Sequence, residues 1–293
     1  MPSAGKGSAA SRVSIVEMAP RDGLQNEKVL IGAQDKIRLV DMLSGCGFER
    51  IEVTSFVSPK WVPQLADAAD VMAGIARRPG VRYAVLTPNM KGFEAALAAG
   101  ADEVAIFASA SEGFSQHNIN CSIAESIERF RPVAQAARGE GIALRGYVSC
   151  VVECPYDGAV APESAAKVAA QLLELGCYEI SLGDTIGRGT PEAVDRMLVA
   201  VLADIPADRL AGHFHDTAGR ALDNIGVALD HGIRVFDASV GGLGGCPYAP
   251  GAKGNVDTLL VDSFVKSRGF VTGLNEDALE AASSFARSLR STA

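Results

Sequence analysis

The sequence predicts a closed barrel of eight parallel strands, each followed by a helix, the (β/α)8 or TIM barrel. Short runs rich in β-branched residues alternate with longer stretches of helical period along the 293 residues. Eight such units need roughly 250 residues, which suits this length. An open doubly wound sheet is the alternative, but no G-x-G-x-x-G motif follows the first strand.

The predicted elements follow one another in a regular order. The eight strands are Val13–Met18, Arg50–Thr54, Val81–Leu86, Glu103–Ala108, Ala143–Ser149, Glu179–Leu182, Leu210–His215 and Val235–Ser239. Apolar residues at helical spacing are clearest in Gln34–Ser44, Ser164–Leu175 and Pro191–Leu202. Pro162 and Pro191 stand where a first-turn proline is tolerated. Six glycines are each predicted to end a helix before the next strand: Gly47, Gly80, Gly100, Gly141, Gly176 and Gly232.

Neither a linker nor a shift in composition divides the chain. We therefore predict a flexible tail over residues 1–12 and one barrel domain over residues 13–293. A helical extension from Asn275 to about Leu289 completes this domain.

Composition argues against several classes of protein. Hydrophobic residues make up 48% of the chain and charged residues 21%, so it can bury a core and is not mainly disordered. The net charge of −8 disfavours binding to nucleic acids and to anionic membranes. No apolar run reaches the ~18 residues of a membrane helix, and no secretory signal is recognised. We expect a cytoplasmic protein with mostly reduced cysteines.

Polar residues cluster after the C-terminal ends of the predicted strands, where barrel enzymes place their active sites. Among them, His213 and His215 give the strongest indication of a metal site. Residues i and i+2 of a strand point to the same face, roughly 6.6 Å apart, so both imidazoles can reach one ion. Asp22 and Asn255 lie in the loops after strands one and eight, which are neighbours in a closed barrel. Two nitrogens with oxygens suit Mg²⁺ or Mn²⁺.

Three charged residues are candidates for chemistry beside such a metal. Arg21 offers a fixed cation that can stabilise negative charge developing on a carbonyl or enolate. Glu52 and Asp184 lie in apolar strands, where an acid costs free energy unless it is paired. They are interpreted either as partners of Arg21 or of the histidines, or as proton carriers.

The glycine-rich run from Gly241 to Gly245 is predicted to be the hinge of a lid that carries Cys246. It lacks the Lys-Ser/Thr ending of a phosphate-binding P-loop. The thiol of Cys246 is a candidate proton donor to an enolate or a candidate nucleophile.

Five motifs carry a resemblance to a known family. They are EMAPRDGLQNE (17–27), EVTSFVSPKWVPQ (52–64), GDTIG (183–187), HFHDT (213–217) and SVGGLGGCPYAPGA (239–252). With them the chain resembles the 3-hydroxy-3-methylglutaryl-CoA lyases over nearly its whole length. The cysteine loop is specific to these lyases. The Arg-Asp and His-x-His motifs are shared with the wider superfamily of metal-dependent barrel lyases and Claisen condensation enzymes.

The resemblance implies cleavage of 3-hydroxy-3-methylglutaryl-CoA to acetyl-CoA and acetoacetate, as in leucine catabolism and ketone-body formation. It implies that Asp22, His213, His215 and Asn255 bind one divalent cation, Mg²⁺ or Mn²⁺. The partner would be a small acyl-CoA, with neither nucleic acid nor membrane involved. A homodimer or a higher homo-oligomer is expected.

By the same resemblance, Arg21 would stabilise the thioester enolate and Cys246 would protonate it. Asp22 or a bound water is a candidate for the base that deprotonates the substrate hydroxyl, with Glu52 and Asp184 nearby.

Substrate binding is assigned to Arg21, Gln25 and Asn118. Asn118 belongs to a predicted loop, Ser111–Asn120, that follows strand four and would contact CoA.

Two departures from the family pattern lie on either side of Asn255 in the sequence. Leu259 and Leu260 stand where the family usually has an acidic residue, and Lys253 replaces a small one. A longer 3-hydroxyglutaryl-CoA analogue is therefore an alternative substrate. A Claisen synthase is a second alternative, although it would lack the Gly-Gly-Cys-Pro loop. A metal-binding barrel without turnover is a third, and it predicts that replacing Cys246 changes nothing.

Overall fold

The computed structural model describes residues 11–245 and 253–290, which form the predicted closed barrel. The barrel strands are β1 (Ser14–Glu17), β2 (Arg50–Ser55), β3 (Arg82–Leu86), β4 (Glu103–Ser109), β5 (Ala143–Ser149), β6 (Glu179–Asp184), β7 (Leu210–Phe214) and β8 (Val235–Ala238). Each strand pairs in parallel with the next one in the chain, and β8 closes onto β1 with Ser14 opposite Val235. The eight-stranded parallel barrel is thus confirmed.

Helices surround the barrel, eight of them between successive strands and two after the last strand of the described chain. They are α1 (Ala33–Ser44), α2 (Ala68–Gly74), α3 (Met90–Ala98), α4 (Glu112–Ile119), α5 (Ile123–Glu140), α6 (Pro162–Leu175), α7 (Pro191–Leu202), α8 (Ala221–Asp230), α9 (Thr258–Ser267) and α10 (Glu276–Ser288). Pro162 and Pro191 are the first residues of their helices, where a missing N–H costs nothing. All six glycines predicted to end helices have positive φ, a conformation that favours glycine.

One predicted loop is a helix. The segment Ser111–Asn120, expected to be irregular, contains α4. Ser111 Oγ accepts a hydrogen bond from the Phe114 N–H at 3.1 Å, and Asp157 Oδ2 accepts one from the Gly113 N–H at 2.7 Å. These caps satisfy N–H groups at the start of the helix, and one of them comes from 44 residues away.

The two faces of the barrel wall differ in polarity. Along β5 successive side chains point to opposite faces. Leu144 and Val148 belong to the hydrophobic core between strands and helices. Arg145 and Tyr147 alternate with them and point inward, where Arg145 Nη2 lies 2.8 Å from Asp237 Oδ1 on β8. The polar interior positions the site described below.

The N-terminal end of the interior, here called the barrel floor, contains Arg50, Arg145, Tyr178 and Glu179. Glu179 Oε1 accepts hydrogen bonds from Arg50 Nη1 at 2.7 Å and from Arg145 Nε at 2.8 Å. Arg50 Nη1 also donates to the Tyr178 hydroxyl at 2.6 Å. The two arginines and Glu179 are buried. Every one of these charges has a partner, the condition under which buried ions are tolerated.

The ends of the chain are only partly described. Residues 1–10 of the predicted tail lie outside the described residues, and Arg12 pairs with Val271 in an isolated parallel bridge. At the other end α10 begins after Asn275, whose side chain accepts a hydrogen bond from the Ala278 N–H. Within the described ranges, no helix combines the length and the apolar character needed to cross a bilayer.

Glu17, the last residue of β1, connects this strand to Val240, just before the glycine-rich run, and to Thr258, the first residue of α9. Its fully buried carboxylate accepts hydrogen bonds from the Ala19 N–H at 2.9 Å, the Val240 N–H at 3.0 Å and the Thr258 hydroxyl at 2.8 Å. Burial raises the pKa of Glu17 to about 7, against the lowering effect of these hydrogen bonds. The carboxyl therefore titrates near neutral pH.

Glu17→Gln is expected to remove a pH-dependent part of the stability. Because the folded-state pKa lies above the ordinary 4.5, the folded protein binds this proton more tightly than the unfolded chain does. The stabilisation is therefore fully present below pH 4.5 and is lost as the pH rises through 7. Between pH 5 and pH 8 the wild type should lose roughly 2–3 kcal/mol more unfolding free energy than the variant. Urea unfolding across this range measures the difference.

The glutamine amide can keep all three hydrogen bonds, since its oxygen accepts from two N–H groups and its nitrogen donates to the Thr258 hydroxyl. Glu140→Gln, at an exposed position, is the control for the loss of one carboxyl and should keep the wild-type slope. Identical slopes for the wild type and Glu17→Gln would contradict the prediction.

Candidate metal centre and active site

Three of the four predicted metal ligands converge at the C-terminal end of the barrel. Asp22 lies in a tight turn, Ala19–Gly23, directly after β1, while His213 is in β7 and His215 just beyond it. The Nε2 atoms of the two histidines are 3.2 Å apart. Asp22 Oδ2 lies 3.8 Å from His213 Nε2 and 3.9 Å from His215 Nε2. One oxygen and two nitrogens thus face a common point.

Asn255 is the fourth predicted ligand, and it adjoins the same group. Its Nδ2 donates a hydrogen bond to Asp22 Oδ2 at 2.8 Å, and its backbone forms an antiparallel bridge with His215. Gly244 accepts a hydrogen bond from the Asn255 N–H at 3.2 Å. Gly244 has a φ of +96°, and a Cβ there would lie 2.6 Å from Asn255 Nδ2, so glycine is required for this approach.

The donor set fits a divalent cation. The ligand atoms of Asp22, His213 and His215 all lie within 4.8 Å of one another, as atoms sharing one ion must. Imidazole nitrogens with a carboxylate and a carboxamide suit Mn²⁺ and similar ions, and carboxylate and amide oxygens suit Mg²⁺. The site accordingly can hold a divalent metal ion.

The burial and the charges around the site keep Asp22 and His215 in the forms that bind metals, whereas Asp237 and Asp22 outweigh the effect of burial and raise the pKa of His213. Burial raises the pKa of Asp22, but Arg21 and the two histidines outweigh this effect and hold that pKa well below its usual range. Burial together with the neighbouring His213 lowers the pKa of His215 to about 4. Asp22 is therefore ionised at neutral pH, and His215 has a free lone pair.

Arg21 is held between two carboxylates. Its Nη1 contacts Asp22 Oδ1 and its Nε contacts Glu52 Oε2, each at 2.5 Å. Glu52 Oε1 also accepts a hydrogen bond from the Tyr147 hydroxyl at 3.0 Å, and the guanidinium carbon of Arg21 lies 5.7 Å from the centre of the Tyr147 ring. Of the two roles left open for Glu52, partnership with Arg21 is the one its contacts favour.

Asp184 ends β6 and faces the loop that follows it. Its Oδ2 accepts a hydrogen bond from the Gly189 N–H at 2.8 Å, and its backbone carbonyl accepts one from the His215 N–H at 3.4 Å. Burial raises the pKa of Asp184 to about 6. Among the described residues its carboxylate has no hydrogen bond to the candidate ligands, so its contacts favour a role in fixing the loop.

Three further predicted site residues have no described contact with the candidate ligands. Gln25 is half-buried just after the turn that carries Asp22, and Asn118 is exposed on α4. Cys246 lies outside the described residues. The residues on either side of its segment, Gly245 and Lys253, form an antiparallel bridge.

Two interior residues of the site were not singled out from the sequence. Asp237 Oδ2 lies 3.0 Å from His213 Nδ1, and Tyr147 contacts Glu52. Asp237 lies in an apolar strand, the signal that singled out Glu52, so the same reasoning would have found it. Tyr147 carries no such signal because a strand tyrosine is ordinary.

Comparison with known proteins gives consistent matches. A family model described as HMGL-like matches residues 12–286. The 3-hydroxy-3-isohexenylglutaryl-CoA/hydroxy-methylglutaryl-CoA lyase of Pseudomonas aeruginosa is 60% identical over 92% of this chain and 89% of its own length. The mitochondrial hydroxymethylglutaryl-CoA lyase of Rattus norvegicus is 57% identical over 95% and 86%. The crystal structure of the HMG-CoA lyase from Brucella melitensis superposes with a TM-score of 0.95 at 67% identity, covering 96% of this chain and all of that one.

Proposed function

The chain belongs to the HMGL-like family, and on that premise we propose that it is a divalent-metal-dependent lyase acting on 3-hydroxy-3-methylglutaryl-CoA. The products would be acetyl-CoA and acetoacetate. The observation that carries the proposal is the convergence of Asp22, His213 and His215 on one point directly beside the buried Arg21. Relatives at 57–60% identity that are named for this activity support it.

The metal ligands would be Asp22, His213, His215 and Asn255. A divalent cation at this point, Mg²⁺ or Mn²⁺, supplies Lewis acidity toward the C3 hydroxyl of the substrate when bound. The four side chains orient the substrate by fixing where that cation sits. Two of them, Asp22 and Asn255, are also hydrogen-bonded to each other at 2.8 Å, which limits their freedom before substrate arrives.

Cleavage of the C2–C3 bond requires a base, a group that stabilises the enolate and a proton donor. The C3 hydroxyl loses its proton to a base, the C2–C3 electron pair moves to C2, and C3 becomes the ketone carbon of acetoacetate. Asp22 is a candidate base because its Oδ2 lies 3.8 Å and 3.9 Å from the Nε2 atoms of the two histidines, whereas the Asp184 carboxylate is hydrogen-bonded to the backbone of its own loop. A bound water is the alternative base.

Arg21 would stabilise the negative charge that spreads from C2 onto the thioester oxygen. Its two carboxylate contacts hold the guanidinium in place without reorganisation during the reaction. Cys246 would then donate its proton to C2 to give acetyl-CoA. This last assignment is supported by the sequence motif, since Cys246 is outside the described residues.

A longer 3-hydroxyglutaryl-CoA analogue is the second candidate substrate. One observation favours it: the 60%-identical relative from Pseudomonas aeruginosa is named for a 3-hydroxy-3-isohexenylglutaryl-CoA as well as for the methyl compound. In this chain the half-buried Leu259, at the start of α9, stands where the sequence pattern leads one to expect an acid.

Mass spectrometry of the products tests both candidates. Purified protein is mixed with each acyl-CoA, with Mg²⁺, with Mn²⁺ and with a chelator. Acetyl-CoA formed together with acetoacetate from the methyl substrate, and only with metal, is the expected result. Cleavage of the isohexenyl compound alone would favour the second candidate. Failure to cleave either compound with metal present would overturn the proposed reaction.

A further inference from the structure

Asp237 is a buried carboxylate that the reaction outlined above does not use. It lies on β8, is 2% exposed, and its Oδ2 is 3.0 Å from Nδ1 of His213. Its Oδ1 accepts a hydrogen bond from Arg145 Nη2 at 2.8 Å, and its Oδ2 accepts one from the Ser181 hydroxyl at 2.7 Å. Both carboxylate oxygens are therefore fixed by donors on β5 and β6. His213 lies on β7, the strand next to β6.

These contacts determine which nitrogen of His213 carries the proton. A carboxylate paired with an arginine can only accept hydrogen bonds, so Nδ1 of His213 must be the donor. A neutral imidazole with a proton on Nδ1 has its lone pair on Nε2. That Nε2 is the atom 3.2 Å from His215 Nε2 and 3.8 Å from Asp22 Oδ2.

We propose that Asp237 is a positioning residue that holds His213 in the tautomer and ring orientation required of a metal ligand. The inference rests on the proposed function, because it presupposes that His213 binds the cation. Carboxylates that accept from a ligating histidine raise its basicity and fix its direction, and their loss typically weakens metal binding 10–100-fold.

The hydrogen bonds that hold Asp237 continue into the barrel floor, to which Arg145 belongs. Arg145 donates from Nη2 to Asp237 and from Nε to Glu179, each at 2.8 Å, and Glu179 is bound in turn by Arg50. His213 is thus braced by a chain of charge-assisted hydrogen bonds that crosses the barrel interior. Such bonds are short and strongly directional.

Asp237→Asn is the direct test. An asparagine turns one acceptor oxygen into an NH₂ donor, so it cannot accept from Arg145, Ser181 and His213 together. We expect about 10–100-fold weaker binding of Mn²⁺, measured on the full chain from the electron paramagnetic resonance signal of the free ion. Asp262→Asn is the matched control, because Asp262 is equally buried and bonded to Lys266 and Thr272 away from the site. Its Mn²⁺ affinity should equal that of the wild type.

A second measurement uses the wild type alone and so does not depend on the variant folding. Nitrogen-15 spectra of the four labelled histidines report the protonation of each ring nitrogen. For His213 we expect a protonated Nδ1 and an Nε2 whose signal moves when Mg²⁺ is added. A lone pair on Nδ1 of His213 would overturn the inference, as would Mn²⁺ affinity of Asp237→Asn within two-fold of the wild type.

The same titrations separate this inference from the proposed function. Wild-type protein that binds Mn²⁺ tightly, with Asp237→Asn equal to it, refutes the role of Asp237 and leaves the proposed reaction standing. Wild-type protein that binds neither Mn²⁺ nor Mg²⁺ refutes both, and this result is known before any variant is compared.

Discussion

Replacing His213 by alanine, or removing the divalent cation with a chelator, is expected to abolish carbon–carbon bond cleavage. His213 contributes one of two imidazole nitrogens that lie 3.2 Å apart beside Asp22. A Lewis acid at a developing alkoxide supplies several kcal/mol, and each 1.4 kcal/mol is a factor of ten in rate. We therefore expect kcat to fall by at least about 1000-fold in both cases. A coupled assay for acetyl-CoA measures it.

His231→Ala is the matched control. His231 directly follows α8, and its Nε2 lies 2.7 Å from Asp195 Oδ1, so it is a paired histidine with no part in the candidate site. This variant should keep wild-type activity and wild-type dependence on the metal. Full activity after exhaustive chelation, or in His213→Ala, would contradict the assignment of the metal centre.

The second large effect concerns Arg21. Arg21→Gln is expected to lower kcat/KM by about 100-fold to 1000-fold, the usual cost of losing one donor to a developing oxyanion. The change also leaves Glu52 buried without its cation, which typically costs about 3–5 kcal/mol of stability. Loss of activity and loss of folded protein must therefore be separated.

The double variant Arg21→Gln with Glu52→Gln makes this separation. It removes both charges of the pair, so stability should recover while activity stays low. Arg82→Gln is a further control, since Arg82 also faces a buried glutamate, Glu103, but on β3 and β4 at the opposite end of the barrel. It should cost stability without changing kcat. Recovery of activity in the double variant would show that Arg21 acts on the fold alone.

The parts of the site that could be predicted are those whose signal is local. Two histidines at positions i and i+2 of a strand must share a face, and this spacing is visible in the sequence. The positions of Asp22 and Asn255 next to them follow once the barrel is known to close, because their loops then become neighbours.

What could not be predicted depends on residues far apart in the chain. Asp237 itself could have been singled out as an acid in an apolar strand, but no local pattern predicts its pairing with Arg145, which is 92 residues away. The helix α4 has a similar origin, because part of its capping comes from Asp157. Its own apolar residues are few and show weak helical spacing, so the sequence alone favoured a loop there.

The barrel floor has a kinetic consequence. Among the described residues, buried paired charges close the N-terminal end of the interior, so we expect substrate to enter at the C-terminal end, where the candidate ligands lie. The incoming thioester and both products are then expected to enter and leave at this same end. Both products would then have to be released before the next substrate molecule binds. We therefore expect each product, present in excess, to compete with the substrate for this end of the barrel.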